Sequence, residues 1–287
     1  MLRSVLGFAL LVICGFLAAC GGERAASSSS ISSSTATSGS LYERLRASKT
    51  ARVGVSADSP PFGVRRGKNY QGFDIDIAES VLRELGIETI TYVPVTSEQR
   101  IPFLRDGQVD VVIASMTQTR GREAQVDFSI PYFQDGESLL VRADSPVKSY
   151  QDLKGVRVGV EAGTTALLYL KQVAPEAELV AYPDAVSLRM ALESGKESVI
   201  SSDLLLLIGI RKQCKDPAQF RIAGQRFTTE PYAIAVPPNE SALRNALNHQ
   251  LLAIWEDGTW QKCADTWFGP GAPYEHRVTF GMVPYPK

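Results

Sequence analysis

At 287 residues, 44% of them apolar, the chain is long enough for two modest lobes with sizeable cores. Its 30 Lys and Arg against 31 Asp and Glu leave a formal net charge of -1, so no global charge argues for nucleic acid or an acidic membrane surface. No P-loop, G-x-S-x-G elbow or H-E-x-x-H occurs, which leaves nucleotide hydrolysis and ordinary hydrolase chemistry without support.

The first segment reads as an address. Arg3 supplies a positive start, residues 5–16 are an apolar run too short to span a bilayer comfortably, and Leu17-Ala18-Ala19-Cys20 closes it. This resembles a lipoprotein export signal spanning residues 1–20, with Cys20 becoming the lipid-bearing first residue; a plain secretory signal or an uncleaved anchor is the alternative. Residues 21–40 collapse to serine, alanine and glycine, a composition that cannot bury enough apolar surface to order itself and reads as a flexible tether. Of the four cysteines, Cys14 would leave with the signal and Cys20 would be acylated, leaving Cys214 and Cys263. An oxidising compartment favours a disulfide between them, with two separate buried thiols as the alternative. Neither His249 nor His276 joins them at zinc-ligand spacing.

The globular part opens with an alternating strand over residues 51–57 that ends at Asp58 and the turn Ser59-Pro60-Pro61-Phe62. Asp58 either lines a pocket at that strand end or caps the turn. Ile75, Ala78, Val81, Leu82 and Leu85 then fall at helical spacing with Gly86 as stop, and Asp74 stands where a helix cap is expected. A strand over 88–95, a helix ending near Gly107 and a strand over 109–114 follow, and this β-α alternation predicts an α/β fold with a mostly parallel sheet.

The chain is organised around residues 111–122, V-V-I-A-S-M-T-Q-T-R-G-R. A buried strand stops there in the hydroxyls of Ser115 and Thr117, and Arg122 follows one short turn later. Ligands gather at carboxyl ends of strands in open α/β sheets, and a guanidinium fork matches a carboxylate, so the cluster suits a small carboxylic acid. An N-cap followed by a surface arginine is the plainer alternative.

G-F-D-I-D-I-A, R-I-P-F-L-R-D-G-Q-V-D, T-Q-T-R-G-R and V-D-F-S-I-P-Y-F, in this order and spacing, resemble the polar amino-acid-binding proteins of ABC importers. The likeness runs from Ala51 to about Gly269. It implies the type II periplasmic-binding-protein fold: two α/β lobes joined by two hinge strands, with the ligand cleft between them. Lobe one would comprise residues 41–135 and 231–287 and lobe two residues 136–230, with crossings near 132–135 and 231–235. The helix over 239–255, with Leu243, Ala246, Leu247, Leu251 and Ile254 on its apolar face, would close lobe one.

The resemblance also implies roles for particular residues. Arg122, with Ser115 and Thr117, would grip a ligand α-carboxylate from lobe one, while the Glu161-Ala162-Gly163-Thr164-Thr165 turn at a helix N-terminus grips it from lobe two. Thr164 and Thr165 could alternatively serve only as caps. Asp203 would accept from the α-ammonium, or act as the N-cap of the Leu204-Leu205-Leu206-Leu207 helix. Thr96, Ser97 and Arg100 match the T-S-x-x-R segment that acidic amino-acid binders place on a distal carboxylate, which favours glutamate or aspartate. Glu161 brings a negative charge to that pocket and leaves room for glutamine or a cationic substrate. Glutamate-receptor cores, which share the fold, carry a disulfide near the place a Cys214–Cys263 bond would occupy.

The implied function is capture of a free polar amino acid by hinge closure and delivery to an ABC permease and its ATPase subunits. The protein would be a monomer held at a bacterial membrane by its lipid, in the periplasm or at the cell surface, without cofactor, metal or nucleic acid. The alternative is an exported cyclohexadienyl or arogenate dehydratase on the same fold, with Glu161 as a cleft acid. A sensor for a separate membrane partner is a third reading. The tail from Pro270 to Lys287 matches no assignable pattern.

Overall fold

A computed structural model describes residues 39–282, so the expected export signal, Cys20 and all but the last two residues of the expected tether lie outside the described residues. Helix α1 (Leu41–Ser48) starts at a capping box in which Ser40 accepts from Glu43 N and the Glu43 carboxylate accepts from Ser40 N. Then come β1 (Thr50–Val55), β2 (Asp58–Ser59), β3 (Gly63–Arg66), β4 (Asn69–Gln71), α2 (Phe73–Glu84), β5 (Thr89–Pro94), α3 (Arg100–Arg105), β6 (Val111–Val112), α4 (Arg120–Glu123) and β7 (Asp127–Asp135). The chain continues through β8 (Glu137–Arg142), β9 (Arg157–Glu161), α5 (Ala166–Val173), β10 (Glu178–Tyr182), α6 (Ala185–Glu193), β11 (Val199–Asp203), α7 (Leu204–Gln213) and β12 (Phe220–Ala223). It returns through β13 (Glu230–Val236), α8 (Ser241–Glu256) and α9 (Thr259–Phe268).

Two five-stranded sheets result, ordered β5-β1-β6-β13-β7 and β10-β9-β11-β8-β12. They are mixed rather than mostly parallel. Where a strand, a helix and a strand succeed one another the pairing is parallel, as in β5-β1-β6 and β10-β9-β11. Where the chain leaves one lobe and comes back, β13 pairs antiparallel with β6 and β7, and β8 pairs antiparallel with β11 and β12. β2, β3 and β4 form a small antiparallel flap.

The core of lobe one is aromatic. Phe62, Phe73, Phe133, Trp260 and Phe268 are buried and meet edge-on, tilted or stacked at centroid distances of 5.1–6.5 Å. Trp260 donates its Nε1–H to the Tyr132 carbonyl at 2.8 Å, tying α9 to β7 at the crossing. Leu243, Leu247, Leu251 and Ile254 of α8 are buried as their spacing predicts. The tail finds its place here too: Phe280 packs on Phe133, Trp255 and Trp260, and Met282 is buried.

The two remaining cysteines are separate thiols. Cys214 ends α7 inside a lobe-two core with Leu188, Leu207 and Phe220, its Sγ donating to the Ile210 carbonyl at 3.4 Å. Cys263 lies on α9 against the lobe-one core beside Ser80. The expected Cys214–Cys263 disulfide is therefore corrected: each sulfur belongs to a different hydrophobic core.

The lobes touch closely. A Cβ on Gly209 of α7 would fall 1.8 Å from the Pro60 carbonyl oxygen, and one on Gly163 within 2.8 Å of Ser97 and Glu98. Only glycine permits that approach, and Gly163 also holds φ at +76°.

Candidate functional site

The central stretch is held from below. Asp74, fully buried, accepts from Ser115 N at 2.7 Å, Ser115 Oγ at 3.0 Å and the Tyr132 hydroxyl at 2.7 Å. Ser115 itself sits at φ +45°, a left-handed conformation that such bonds stabilise. The expectation of Asp74 as a helix cap is corrected: Gly72 occupies the N-cap, and burial pushes the Asp74 carboxyl up to about 6.

At the strand end, Ser56, Ser59, Ser97, Arg100, Ser115, Thr117 and Arg122 face Glu137, Glu161, Thr164, Thr165, Ser202, Asp203 and Leu206 across a cleft. The walls meet so closely that only about 30 Å³ of free volume is left between them. Arg100 opens α3 but is only 4% exposed, turned inward rather than solvated on its helix. It donates to the carbonyls of Ser97 at 3.1 Å, Ala114 at 3.0 Å and, across the cleft, Gly163 at 3.4 Å. Arg122 donates to the carbonyls of Thr117 at 2.6 Å and Gly163 at 2.9 Å, and its N–H is received by the Thr119 hydroxyl that caps α4. Burial, and then the neighbouring Arg100, push the Arg122 guanidinium down to about 9, still cationic at neutral pH. Among the described residues neither arginine takes part in an ion pair. Two desolvated cations satisfied only by carbonyls call for an anion.

The opposite wall is acidic. Asp203, 6% exposed, receives the Tyr232 hydroxyl on Oδ2 while its Oδ1 has no hydrogen-bond partner. It occupies the N-cap position of α7, as the alternative reading has it, but its side chain makes no capping bond. Burial pushes its carboxyl well up, and the neighbouring Glu137 and Asp135 add to this. Glu137, Asp203 and Glu230 bring their oxygens within 4.8 Å of one another, the one convergence among the described residues able to surround a cation. Glu137 and Glu230 escaped sequence reasoning. The signal was their place: each stands beside a hinge crossing, in Asp135-Gly136-Glu137 and in Glu230-Pro231.

Thr165 begins α5 with its side chain buried and uninvolved in capping, while Thr164 Oγ1 donates to the Glu161 carbonyl at 2.7 Å. Glu161 receives Ser97, and burial pushes its carboxyl up to about 7, with Asp58 adding to the rise and Arg100 opposing it. Asp58 is half-buried outside the cleft lining, bonded by the Ser59 hydroxyl at 3.1 Å and turned toward the first N–H groups of α6. Burial raises its carboxyl. The structure thus brings together Ser97, Arg100, Ser115, Thr117, Arg122, Glu161, Thr164, Thr165 and Asp203, and leaves Asp58 at the rim.

A cationic wall facing an acidic one suits a molecule carrying an anion and a cation a few bonds apart. Residues 51–270 match the model of the bacterial extracellular solute-binding proteins, family 3. The ABC transporter glutamine-binding protein GlnH of Bacillus subtilis (strain 168) is 36% identical over 219 residues, covering 75% of this chain and 79% of that one. An ancestral arginine-binding protein solved with glutamine bound superposes with a TM-score of 0.73 at 37% identity, over 77% of this chain and 99% of its own. An ancestral amino-acid-binding protein that is a precursor of cyclohexadienyl dehydratase superposes with a TM-score of 0.73 at 31% identity, over 80% of this chain and 99% of its own. No described helix is long and apolar enough to cross a membrane. With its two α/β sheets, its double crossing and a family match over most of its length, the chain belongs to the bacterial extracellular solute-binding proteins, family 3.

Proposed function

We propose that the protein captures a polar amino acid outside the cytoplasm, glutamine foremost, by closing its lobes over it, and delivers it to the permease of an ABC importer. One observation carries this reading: Arg122, a guanidinium bonded only to carbonyls, and Asp203, with an oxygen lacking any donor, line the same cleft from opposite lobes. The carboxylate and ammonium of an amino acid complete both at once, and so couple ligand to closure. At the far end Arg100 can donate to a side-chain carbonyl while Glu161 accepts from an amide N–H, which favours glutamine over glutamate or aspartate. Two relatives named for glutamine support that choice, beside others named for arginine and for glutamate and aspartate.

In this reading residues 41–135 and 231–287 form lobe one and residues 136–230 lobe two. The chain works as a monomer tethered by lipid on Cys20. Calorimetric titration of the full chain in detergent with glutamine, glutamate, aspartate, arginine and histidine tests it. Glutamine binds in the micromolar range, about -8 kcal/mol, and no heat across the panel refutes it.

A second reading, a dehydratase, has one observation in its favour: Glu161 is an acid held partly protonated in the cleft near neutral pH. Turnover of prephenate or arogenate would establish it.

A further inference from the structure

Three buried carboxyls at the hinge exceed what one aspartate needs to read one ammonium. Glu137 opens β8, one residue past the outgoing crossing, and pairs in register with Asp203 at the end of β11. Glu230 opens β13, the returning strand, and pairs with Asp135. The cluster therefore draws carboxyls from both sides of the hinge. Glu137 and Asp203 line the cleft itself, next to Thr117 and Thr165.

Their internal bonds are incomplete. Glu137 Oε2 receives Ser201 Oγ at 2.8 Å, Glu230 Oε1 receives Thr228 Oγ1 at 3.0 Å, and Asp203 Oδ2 receives the Tyr232 hydroxyl. Asp203 Oδ1 and Glu230 Oε2 have no hydrogen-bond partner, although Asp203 is 6% and Glu230 0% exposed, while the hydroxyls of Thr117 and Thr165 stand beside the Glu230 carboxyl. A buried oxygen without a donor is costly, and two on residues of one carboxyl cluster mark a place for a cation that brings its own donors. An ammonium carries three N–H donors and one positive charge.

The charges around the cluster do not balance without a visitor. Arg122 of α4 faces Glu230 and Asp203, Arg100 of α3 faces Asp203 from farther off, and Arg226 is spent on Asp135, its Nε donating to Oδ1 at 2.8 Å. Tyr232 of β13 and Tyr169 of α5 complete the ring of titratable neighbours. Arg122 is itself committed to the ligand's carboxylate in the function proposed above. Four carboxyls, Asp135, Glu137, Asp203 and Glu230, then share too few cations to be ionised together. Burial agrees with this: it pushes Glu137 up to about 8 and raises Asp203 and Glu230 as well.

We propose that Glu137 and Glu230 join Asp203 in a three-carboxyl seat for the α-ammonium of the captured amino acid, and that protons occupy this seat when the amino acid is absent. This rests on the amino-acid reading above and adds to it two binding residues and a proton exchange. On capture, a carboxyl O–H bond breaks, the proton leaves to bulk solvent, and the freed carboxylate accepts an N–H of the ammonium. No other bond changes and no redox partner is needed. By linkage, each proton expelled steepens the affinity by about tenfold per pH unit, so binding tightens from pH 5 toward 8 and then levels.

The test is isothermal calorimetry on the full chain with glutamine, in pairs of buffers of different ionisation heat at pH 6.5, with affinity followed from pH 5 to 9. Proton release on binding, and affinity that rises with pH and flattens above about 8, are expected. Glu230→Gln and Glu137→Gln should each bind about tenfold more weakly at pH 8 and release fewer protons. Glutamine binding with no proton exchange and a flat profile would overturn the seat while leaving the amino-acid reading intact. An affinity that depends on added calcium or magnesium would overturn it in favour of a metal. No binding by any amino acid would remove both, and the wild-type proton count decides the matter even if a variant does not fold.

Discussion

The two walls of the cleft solve desolvation in opposite ways. On lobe one, Arg100 and Arg122 are taken out of water, yet their N–H groups reach backbone carbonyls of Ser97, Ala114, Thr117 and Gly163. At the hinge, Glu137, Asp203 and Glu230 are buried together and two of their oxygens find no donor at all. The cationic wall is thus rigid and preorganised, since carbonyls hold the forks without neutralising them. The acidic wall is frustrated and awaits a partner. A ligand with both charges relieves both walls, and one with a single charge relieves only one.

The sharpest way to break that contrast is to remove the cation that makes no ion pair of its own. Arg122→Ala is expected to weaken glutamine binding by about 100-fold or more, roughly 2.7 kcal/mol, in calorimetry, because the ligand carboxylate would be buried unpaired. Asp203→Asn keeps the shape of the acidic wall but loses its charge, and about 10- to 100-fold weaker binding is expected from the same titration. Glu161→Gln tests the far end: the preference for glutamine over glutamate should fall by about tenfold, read as a ratio of dissociation constants.

A gentler probe leaves the sequence alone. Glu137 near 8, Glu161 near 7 and Asp135 near 6 all hold protons more tightly when folded than carboxyls normally do, each through burial first. The folded state therefore binds more protons than the unfolded one between about pH 4.5 and 8. Stability is fullest at the acidic end of that window and declines as pH rises through it. The unliganded Tm should fall by several degrees from pH 5 to 8, and glutamine should restore it most at pH 8. The smallest effect expected is none. Reductant should leave the Tm unchanged, and Cys214 and Cys263 should both be alkylated after unfolding without reduction, because they are free thiols.

How much of this was legible depended on the distance over which the information travels. The apolar face of α8, the hydroxyl-rich end of the central strand and the inward Arg100 and Arg122 follow from local pattern and motif order. Asp74 was misread because capping is a local guess, whereas its partners Ser115 and Tyr132 lie 41 and 58 residues away. The cysteine pair failed likewise: redox compartment says that thiols can pair, but only packing says which core each sulfur enters. The carboxyl cluster needed three strands from two crossings brought side by side, a fact of register rather than of any short stretch.

Gly209 carries one last consequence. With the Pro60 carbonyl oxygen pressed where its side chain would begin, the lobes shut as far as they do because one methyl is missing. Gly209→Ala would hold the jaws ajar. Such a protein still meets its amino acid at the ordinary rate but lets go sooner, so the change should appear in koff and leave kon alone. How long a cargo stays aboard before a permease can take it is thus written at a position that never touches the cargo.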